Sequence, residues 1–100
     1  QDGPYASRPG FATMAEAMSG FAAINGAPDG PRLLPPIALT DEVTGLAGAF
    51  AVMVALRHRD RTGAGQRVDV TLLECMLQLT APLPCAAAPL GHHPSPLGRA

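Results

Sequence analysis

The longest apolar stretch of the chain lies near its middle and predicts one long helix. The segment "LAGAFAVMVAL" (residues 46–56) is apolar on every side, so a helix through it should begin near residues 39–41 and run to about residue 60. A helix without a polar face is normally buried on all sides, and we expect other parts of the protein to enclose this one. Gly63 and Gly65 follow the segment and predict where the helix ends.

A shorter helix is predicted before the long one, between two stretches rich in turn-forming residues. Apolar side chains recur there at helical spacing: Phe11, Met14, Ala15 and Met18. Thr13 and Glu16 match a capping box, which places the start of this helix near Thr13. The segment "GAPDGPRLLPPI" (residues 26–37) holds too many prolines and glycines for regular hydrogen bonding and predicts a loop.

A strand and a further helix are predicted after the long helix. The segment "QRVDV" (residues 66–70) alternates polar and apolar residues and predicts a short strand. Thr71 and Glu74 form a second capping-box pattern, which predicts a helix over residues 72–80. From Pro82 onward the density of proline and glycine excludes a long regular element. A helix, a strand and a helix in succession are typical of part of an α/β fold.

Composition narrows the classes of function and partner. Seven basic and eight acidic side chains give a formal net charge of −1, which indicates neither a nucleic-acid partner nor an anionic membrane. The longest uncharged apolar run, residues 43–56, is too short to span a bilayer, and the first ten residues lack the features of a signal peptide. We therefore expect a cytoplasmic protein. Because the 100 residues begin without Met and end in "SPLGRA", we also expect a piece of a longer protein.

The two adjacent acids at the start of the long helix are the first candidates for chemistry. Asp41 can simply be a first-turn acid that the partial positive charge of the helix N-terminus stabilises. The same environment can also keep a partly desolvated carboxylate ionised, and such a carboxylate can attack an activated carbonyl. Glu42 is the alternative, but successive helical residues point about 100° apart, so only one of the two acids is expected to face a site.

Other polar groups are weaker candidates. The stretch "RTGAGQ" lacks a GK[ST] motif and follows a helix, so a tight turn explains it better than a phosphate loop. His92, His93 and Cys85 match no zinc spacing, and no metal site is predicted. Tyr5 and Arg8 lie in a turn-rich loop, either a surface loop with Tyr5 packed on its neighbours or one whose Arg is placed to meet a phosphate.

Several of these segments, in this order, resemble the class III CoA-transferases. The segments are "GPYASRPGFATMAEAMSG", "NGAPDGP" and "LTDEVTGLAGAFAVMVALRHRDRTGAGQRVDVTLLE". The most specific part is "RDRTGAGQRVDV" (residues 59–70) together with the acid-led helix before it. The similarity covers about residues 2–80, and the family includes formyl-CoA and carnitine CoA-transferases and the α-methylacyl-CoA racemases.

The resemblance implies a fold and a domain arrangement. Members have a Rossmann-like large domain and form dimers whose two chains interlock as rings. This chain would be a mostly helical fragment of that α/β domain, made of a long buried helix, a short strand and a second helix. Residues 1–82 would be the second half of the N-terminal large-domain segment, and residues 83–100 the start of a linker. The full-length protein is then expected to be a homodimer.

The resemblance also implies a reaction. The catalytic aspartate of the family falls on Asp41, which would move CoA between an acyl-CoA thioester and a carboxylic acid through aspartyl anhydride and thioester intermediates. The expected partners are these two substrates, with coenzyme A bound as a thioester, no metal, no nucleic acid and no membrane. Such a site must exclude water, because water would hydrolyse the anhydride.

Two alternatives to CoA transfer stay open. The first is an acyl-CoA racemase or epimerase of the same family, but racemase-like members carry a His where this chain has Phe11. Because Phe cannot move a proton, a two-base mechanism is disfavoured. The second alternative is a helical interaction segment without activity of its own.

Overall fold

Four helices make up the regular structure of the residues that the structure describes. The computed structural model describes residues 3–82 together with residues 89, 91, 95 and 96. In these residues the helices are α1 (Ala12–Met18), α2 (Phe21–Ile24), α3 (Leu39–Thr62) and α4 (Leu72–Thr80). Helices α1, α3 and α4 contact one another, and the short α2 contacts α1. Most of the linker expected over residues 83–100 lies outside the described residues, as do Cys85, His92 and His93.

Helix α3 has the bounds that the apolar pattern predicts. Its N-cap is Ala38, and its C-cap is Gly63 in the left-handed conformation, with φ 75°. The Gly63 N–H donates a hydrogen bond to the carbonyl oxygen of Arg59 at 2.7 Å. Arg59 and Arg61 lie in the last turn, where cations are favourable beside the partial negative charge of a helix C-terminus.

The expectation that this long helix is buried on all sides is wrong for the chain as described. Leu46, Phe50 and Met53 share one face of α3, and Phe50 is 73% exposed. A Cβ atom added at Gly45 or Gly48 would meet no side chain or neighbouring element within 4 Å. The reason is one of size, because α1 and α4 have 7 and 9 residues and cannot enclose a helix of 24.

Helix α3 also has the length and composition of a membrane-spanning segment. Its most apolar window of 18 residues has a mean hydropathy of 1.5. The uncharged run at residues 43–56 predicts a segment too short to span a bilayer. Helix α3, however, is longer than that run. The core helix of a soluble protein can have the same length and composition, so these two properties do not assign α3 to a membrane.

The predicted strand at residues 66–70 does not form. No β-strand is present in the part of the chain that the structure describes, and this segment has no regular secondary structure. A strand needs a neighbouring strand to accept and donate its backbone hydrogen bonds, and the four helices offer none. The side chains of Arg67 and Asp69 form an exposed ion pair at 3.2 Å.

Helix α4 begins with the capping interaction that its sequence predicts. The Thr71 hydroxyl oxygen accepts a hydrogen bond from the Glu74 N–H at 3.2 Å. The same hydroxyl donates to the Glu74 carboxylate at 2.8 Å, so the two side chains close the first turn together. On the inner face, Met76 is fully buried.

Helix α1 begins at Ala12, close to its predicted start, but without the predicted cap. Its N-cap is Phe11, which makes no side-chain hydrogen bond, so Thr13 and Glu16 do not form a capping box. Ala15 and Glu16 are buried instead. Three of the apolar residues whose spacing predicts this helix are exposed: Phe11, Met14 and Met18.

The segment between α2 and α3 is a loop, as its prolines and glycines predict. Asn25 and Leu33 hold its two arms together, since the Leu33 N–H donates to the Asn25 carbonyl oxygen at 3.1 Å. In return, the Asn25 side-chain amide donates to the Leu33 carbonyl oxygen at 2.9 Å. Gly26 has φ 125°, and a Cβ atom at this position would lie 2.6 Å from the Pro31 carbonyl oxygen, so only glycine fits.

Candidate active site

The two acids of α3 lie in its first turn, and both side chains are exposed. Because Ala38 is the N-cap, Asp41 is not a capping residue, although it still lies near the free N–H groups of the helix start. The partial desolvation expected for Asp41 is therefore absent in the described chain. Water can be excluded here only if something further covers this end of α3.

A hydrogen bond between two buried side chains lies directly behind Asp41. The Thr40 hydroxyl donates to the Glu16 carboxyl oxygen Oε1 at 2.9 Å. Thr40 is 0% exposed and Glu16 is 3% exposed. This bond joins the middle of α1 to the first turn of α3, one residue before the candidate nucleophile.

The same buried region also receives the end of α4. The Ser19 hydroxyl donates to the carbonyl oxygen of Glu16 at 3.2 Å, and the Thr80 hydroxyl donates to the carbonyl oxygen of Ser19 at 3.0 Å. We call Glu16, Ser19, Thr40 and Thr80 the buried polar cluster. Its hydrogen bonds join α1 to the first turn of α3 through Glu16 and Thr40, and the end of α1 to α4 through Ser19 and Thr80.

The first turn of α3 has one further side-chain bond. The Thr44 hydroxyl donates to the carbonyl oxygen of Thr40 at 2.7 Å. Thr40 is thus bonded through its side chain to α1 and through its carbonyl to the next turn of α3. The backbone that carries Asp41 is held on the side facing the core, while its carboxylate faces outward.

A separate groove of about 930 Å³ lies between the N-terminal turns, α1 and the start of α4. Arg8 lies over the ring of Tyr5, 4.5 Å from the ring centroid, which agrees with a surface loop in which Tyr5 packs on its neighbours. Asp69 and Glu74 also line this groove. Asp41 is not among the lining residues, so the structure does not bring it together with Arg8.

Metal ligands are not brought together in the described residues. No three His, Cys, Asp or Glu side chains there lie close enough to hold a metal ion. His58 is exposed near the end of α3. The "RTGAGQ" stretch forms the helix end at Gly63 and the irregular segment after it, which agrees with a turn.

Sequence reasoning missed the bond between Thr40 and Glu16. The one signal available was an acid within an otherwise apolar helical segment, and the pattern assigned that acid to a cap with Thr13. The actual partner is 24 residues away. Local spacing cannot reveal such a pair, because it depends on how α1 and α3 are packed.

Comparison with known proteins identifies the family. The model of CoA-transferase family III matches residues 1–100, and the chain belongs to this family. The β subunit of succinyl-CoA–L-malate CoA-transferase from Chloroflexus aurantiacus is 46% identical over 79 residues, which are 78% of this chain and 20% of that protein. Succinyl-CoA:glutarate CoA-transferase of the mouse, Mus musculus, is 41% identical over 85 residues, which are 81% of this chain and 20% of that protein.

A solved structure shows the same fold. The crystal structure of a CaiB/BaiF family protein from Brucella suis matches with a TM-score of 0.88 at 35% identity, over 97% of this chain and 26% of that one. The resemblance read from the sequence is thereby confirmed at the level of the family. The chain spans about a fifth of the length of the curated relatives it matches.

Proposed function

We propose that the chain is part of a CoA-transferase that moves CoA from an acyl-CoA to a carboxylic acid, with Asp41 as the covalent nucleophile. The observation that carries this proposal is the family match over the whole chain, combined with an accessible carboxylate in the first turn of α3. The free N–H groups and partial positive charge at a helix start favour a carboxylate there. The hydrogen bond between Thr40 and Glu16 holds the turn that presents it.

The proposed reaction has four exchanges. An Asp41 oxygen attacks the thioester carbonyl, the C–S bond breaks, and a mixed anhydride and CoA thiolate form. The thiolate attacks the aspartyl carbonyl, which releases the donor acid as a carboxylate and leaves an aspartyl-CoA thioester. The acceptor carboxylate attacks that thioester, so a second anhydride forms and the thiolate leaves again. The thiolate finally attacks the acceptor carbonyl, which gives the new acyl-CoA and restores Asp41.

The balance of these steps explains why no further energy source is required. Each step breaks one activated acyl bond and makes another of similar activation, so no ATP is consumed. The anhydrides must be kept from water, yet Asp41 is exposed in this chain. We therefore propose that the site closes only in the complete protein, where other segments cover the start of α3.

We further propose that the complete protein is a homodimer. The support is the exposed apolar face of α3, formed by Leu46, Phe50 and Met53, which is large for a surface in contact with water. Other segments of the same longer chain and the partner chain would together cover this face. Sedimentation of the full-length protein measures its mass, and a monomer at micromolar concentration would contradict this part of the proposal.

The test of the nucleophile is a trapping experiment on the full-length enzyme. Succinyl-CoA is a suitable first donor, because both relatives described above are named for it. Hydroxylamine converts an activated aspartyl group into a hydroxamate, and peptide mapping locates it. We expect the modification at Asp41, its loss in Asp41→Asn, and an unchanged result in the control Glu42→Gln. Modification elsewhere, or full activity of Asp41→Asn, would contradict the proposal.

A racemase is an alternative outcome of the same experiment series. Phe11, at the position where racemase-like members carry a His, is the N-cap of α1 and offers no proton. Exchange of the substrate α-proton with deuterated water, at a rate comparable to turnover, would identify a racemase. We expect transfer of CoA without such exchange.

A further inference from the structure

We propose that Glu16 is a positioning residue for Asp41 and that it acts through the Thr40 hydroxyl. This role rests on the proposed function of Asp41 as nucleophile. Glu16 would not touch the substrate. Its carboxyl oxygen would hold the first turn of α3 in one place, and Asp41, which lies in that turn, would be held with it.

The first observation is the geometry of the bond. Thr40 Oγ1 and Glu16 Oε1 are 2.9 Å apart, and both side chains are buried. In a dry environment a hydrogen bond is stronger than in water, and breaking it leaves a polar group without a partner. The bond therefore resists both sliding and rotation of the α3 start against α1.

The second observation is that this end of α3 has no side-chain cap. The N-cap Ala38 makes no side-chain hydrogen bond, and the loop before it has no regular structure. Adjacent Cα atoms are about 3.8 Å apart, so a shift of Thr40 is passed on to Asp41 almost undiminished. Misplacement of a reacting group by about 1 Å can slow a reaction roughly 100-fold.

The third observation is the use of an acid in a place where an apolar residue would suffice for packing. Burial of a carboxyl group is unfavourable unless hydrogen bonds compensate for it. An apolar side chain at position 16 would fill the space without that cost, but it could not accept the Thr40 hydroxyl. The need to orient Thr40 explains why position 16 carries an acid, whereas packing alone does not.

A matched control separates positioning from stability. Thr80 belongs to the same buried polar cluster, is 3% exposed and donates its hydroxyl to the Ser19 carbonyl oxygen. It lies at the end of α4 and has no hydrogen bond to α3. Thr40→Val and Thr80→Val each replace one buried hydroxyl by a methyl group in the same core, so both should lower the melting temperature.

The experiment measures kcat, KM and melting temperature in the full-length enzyme with succinyl-CoA as donor. We expect Thr40→Val to lower kcat roughly 10-fold or more with KM changed less than about threefold, because the nucleophile is misplaced and not the binding surface. Thr40→Ser restores the hydroxyl and should bring kcat back to within about twofold of the parent. Thr80→Val should keep kcat within about twofold while it melts earlier.

The partner side chain gives a second, independent set of variants. Glu16→Met removes the acceptor at similar size and should reproduce the kcat loss of Thr40→Val. Glu16→Gln keeps an acceptor oxygen and should remain close to the parent. The double variant Glu16→Met with Thr40→Val should lose no more activity than either single change, because both remove the same bond. If Thr40→Val does not fold, Thr40→Ala takes its place.

Two results would overturn the inference. Equal kcat values for Thr40→Val and Thr80→Val, with the hydroxamate still at Asp41, would show that the bond only stabilises the fold, while the proposed nucleophile would stand. A hydroxamate at another residue would remove the nucleophile and the positioning role together. Mapping the modified residue in every variant therefore separates failure of the inference from failure of the proposed function.

Discussion

The Thr80 hydroxyl donates a hydrogen bond to the carbonyl oxygen of Ser19 at 3.0 Å, although 61 residues separate them in the chain. This bond joins the last turn of α4 to the residue that ends α1. Both residues are buried, so water cannot replace the bond if it is lost. It is therefore one of the long-range contacts that hold α1 and α4 together.

Removal of this hydroxyl should have a measurable cost. We expect Thr80→Val to lower the free energy of unfolding by about 1–3 kcal/mol, because the buried Ser19 carbonyl oxygen loses its donor from α4. Denaturant titration of the full-length protein measures the change. Thr80→Ser keeps the hydroxyl and loses only a methyl group, so it should unfold closer to the parent. Equal losses for the two variants would assign the effect to packing.

The cap of α4 gives a second prediction. Thr71 accepts from the Glu74 N–H and donates to the Glu74 carboxylate, so one side chain closes the helix start twice. Thr71→Ala should lower the free energy of unfolding by about 0.5–2 kcal/mol, as is usual for loss of an N-cap. In the control Thr71→Ser the hydroxyl is retained, and stability should change little. A stable Thr71→Ala would mean that packing alone holds this turn.

The end of α3 provides a comparison between two glycines. Gly63 has φ 75°, where a Cβ atom is strained, whereas Gly65 adopts no such conformation and has open space around it. Gly63→Ala should therefore lower the free energy of unfolding by about 1–2 kcal/mol, and Gly65→Ala should leave it nearly unchanged. Both variants add one methyl group, so the difference between their unfolding free energies excludes the general effect of that addition. Equal results would indicate that the chain relaxes around position 63.

The features that the sequence predicts correctly are those decided by neighbours in the chain. The end of α3 at Gly63 and the start of α4 at Thr71 each depend on residues within one turn. The residues of a short motif determine such interactions, so the motif alone predicts them. The family could likewise be read from local motifs, because these stretches keep their order and spacing along the chain.

The features that the sequence does not predict depend on distant partners. The segment at residues 66–70 has a strand pattern but no strand beside it, and it stays irregular. Glu16 matches a local cap with Thr13, yet it bonds to Thr40, which only the packing of α1 against α3 brings near. Burial of α3 is also not a local property. An apolar pattern indicates that other parts of a protein cover the helix, but it does not indicate which parts these are.

The exposed face of α3 leads to the last prediction, which concerns the complete protein. If other segments or a partner chain cover this face, a cysteine replacing Phe50 should react slowly with a thiol reagent in the full-length enzyme. In a background without Cys75 and Cys85, we expect Phe50→Cys to be labelled roughly 10-fold or more slowly than Arg61→Cys, an exposed control in the last turn of the same helix. Denaturant should remove the difference. Equal labelling rates in the folded protein would show that the apolar face stays open to solvent, and the closed, water-free site proposed for Asp41 would lose its structural basis.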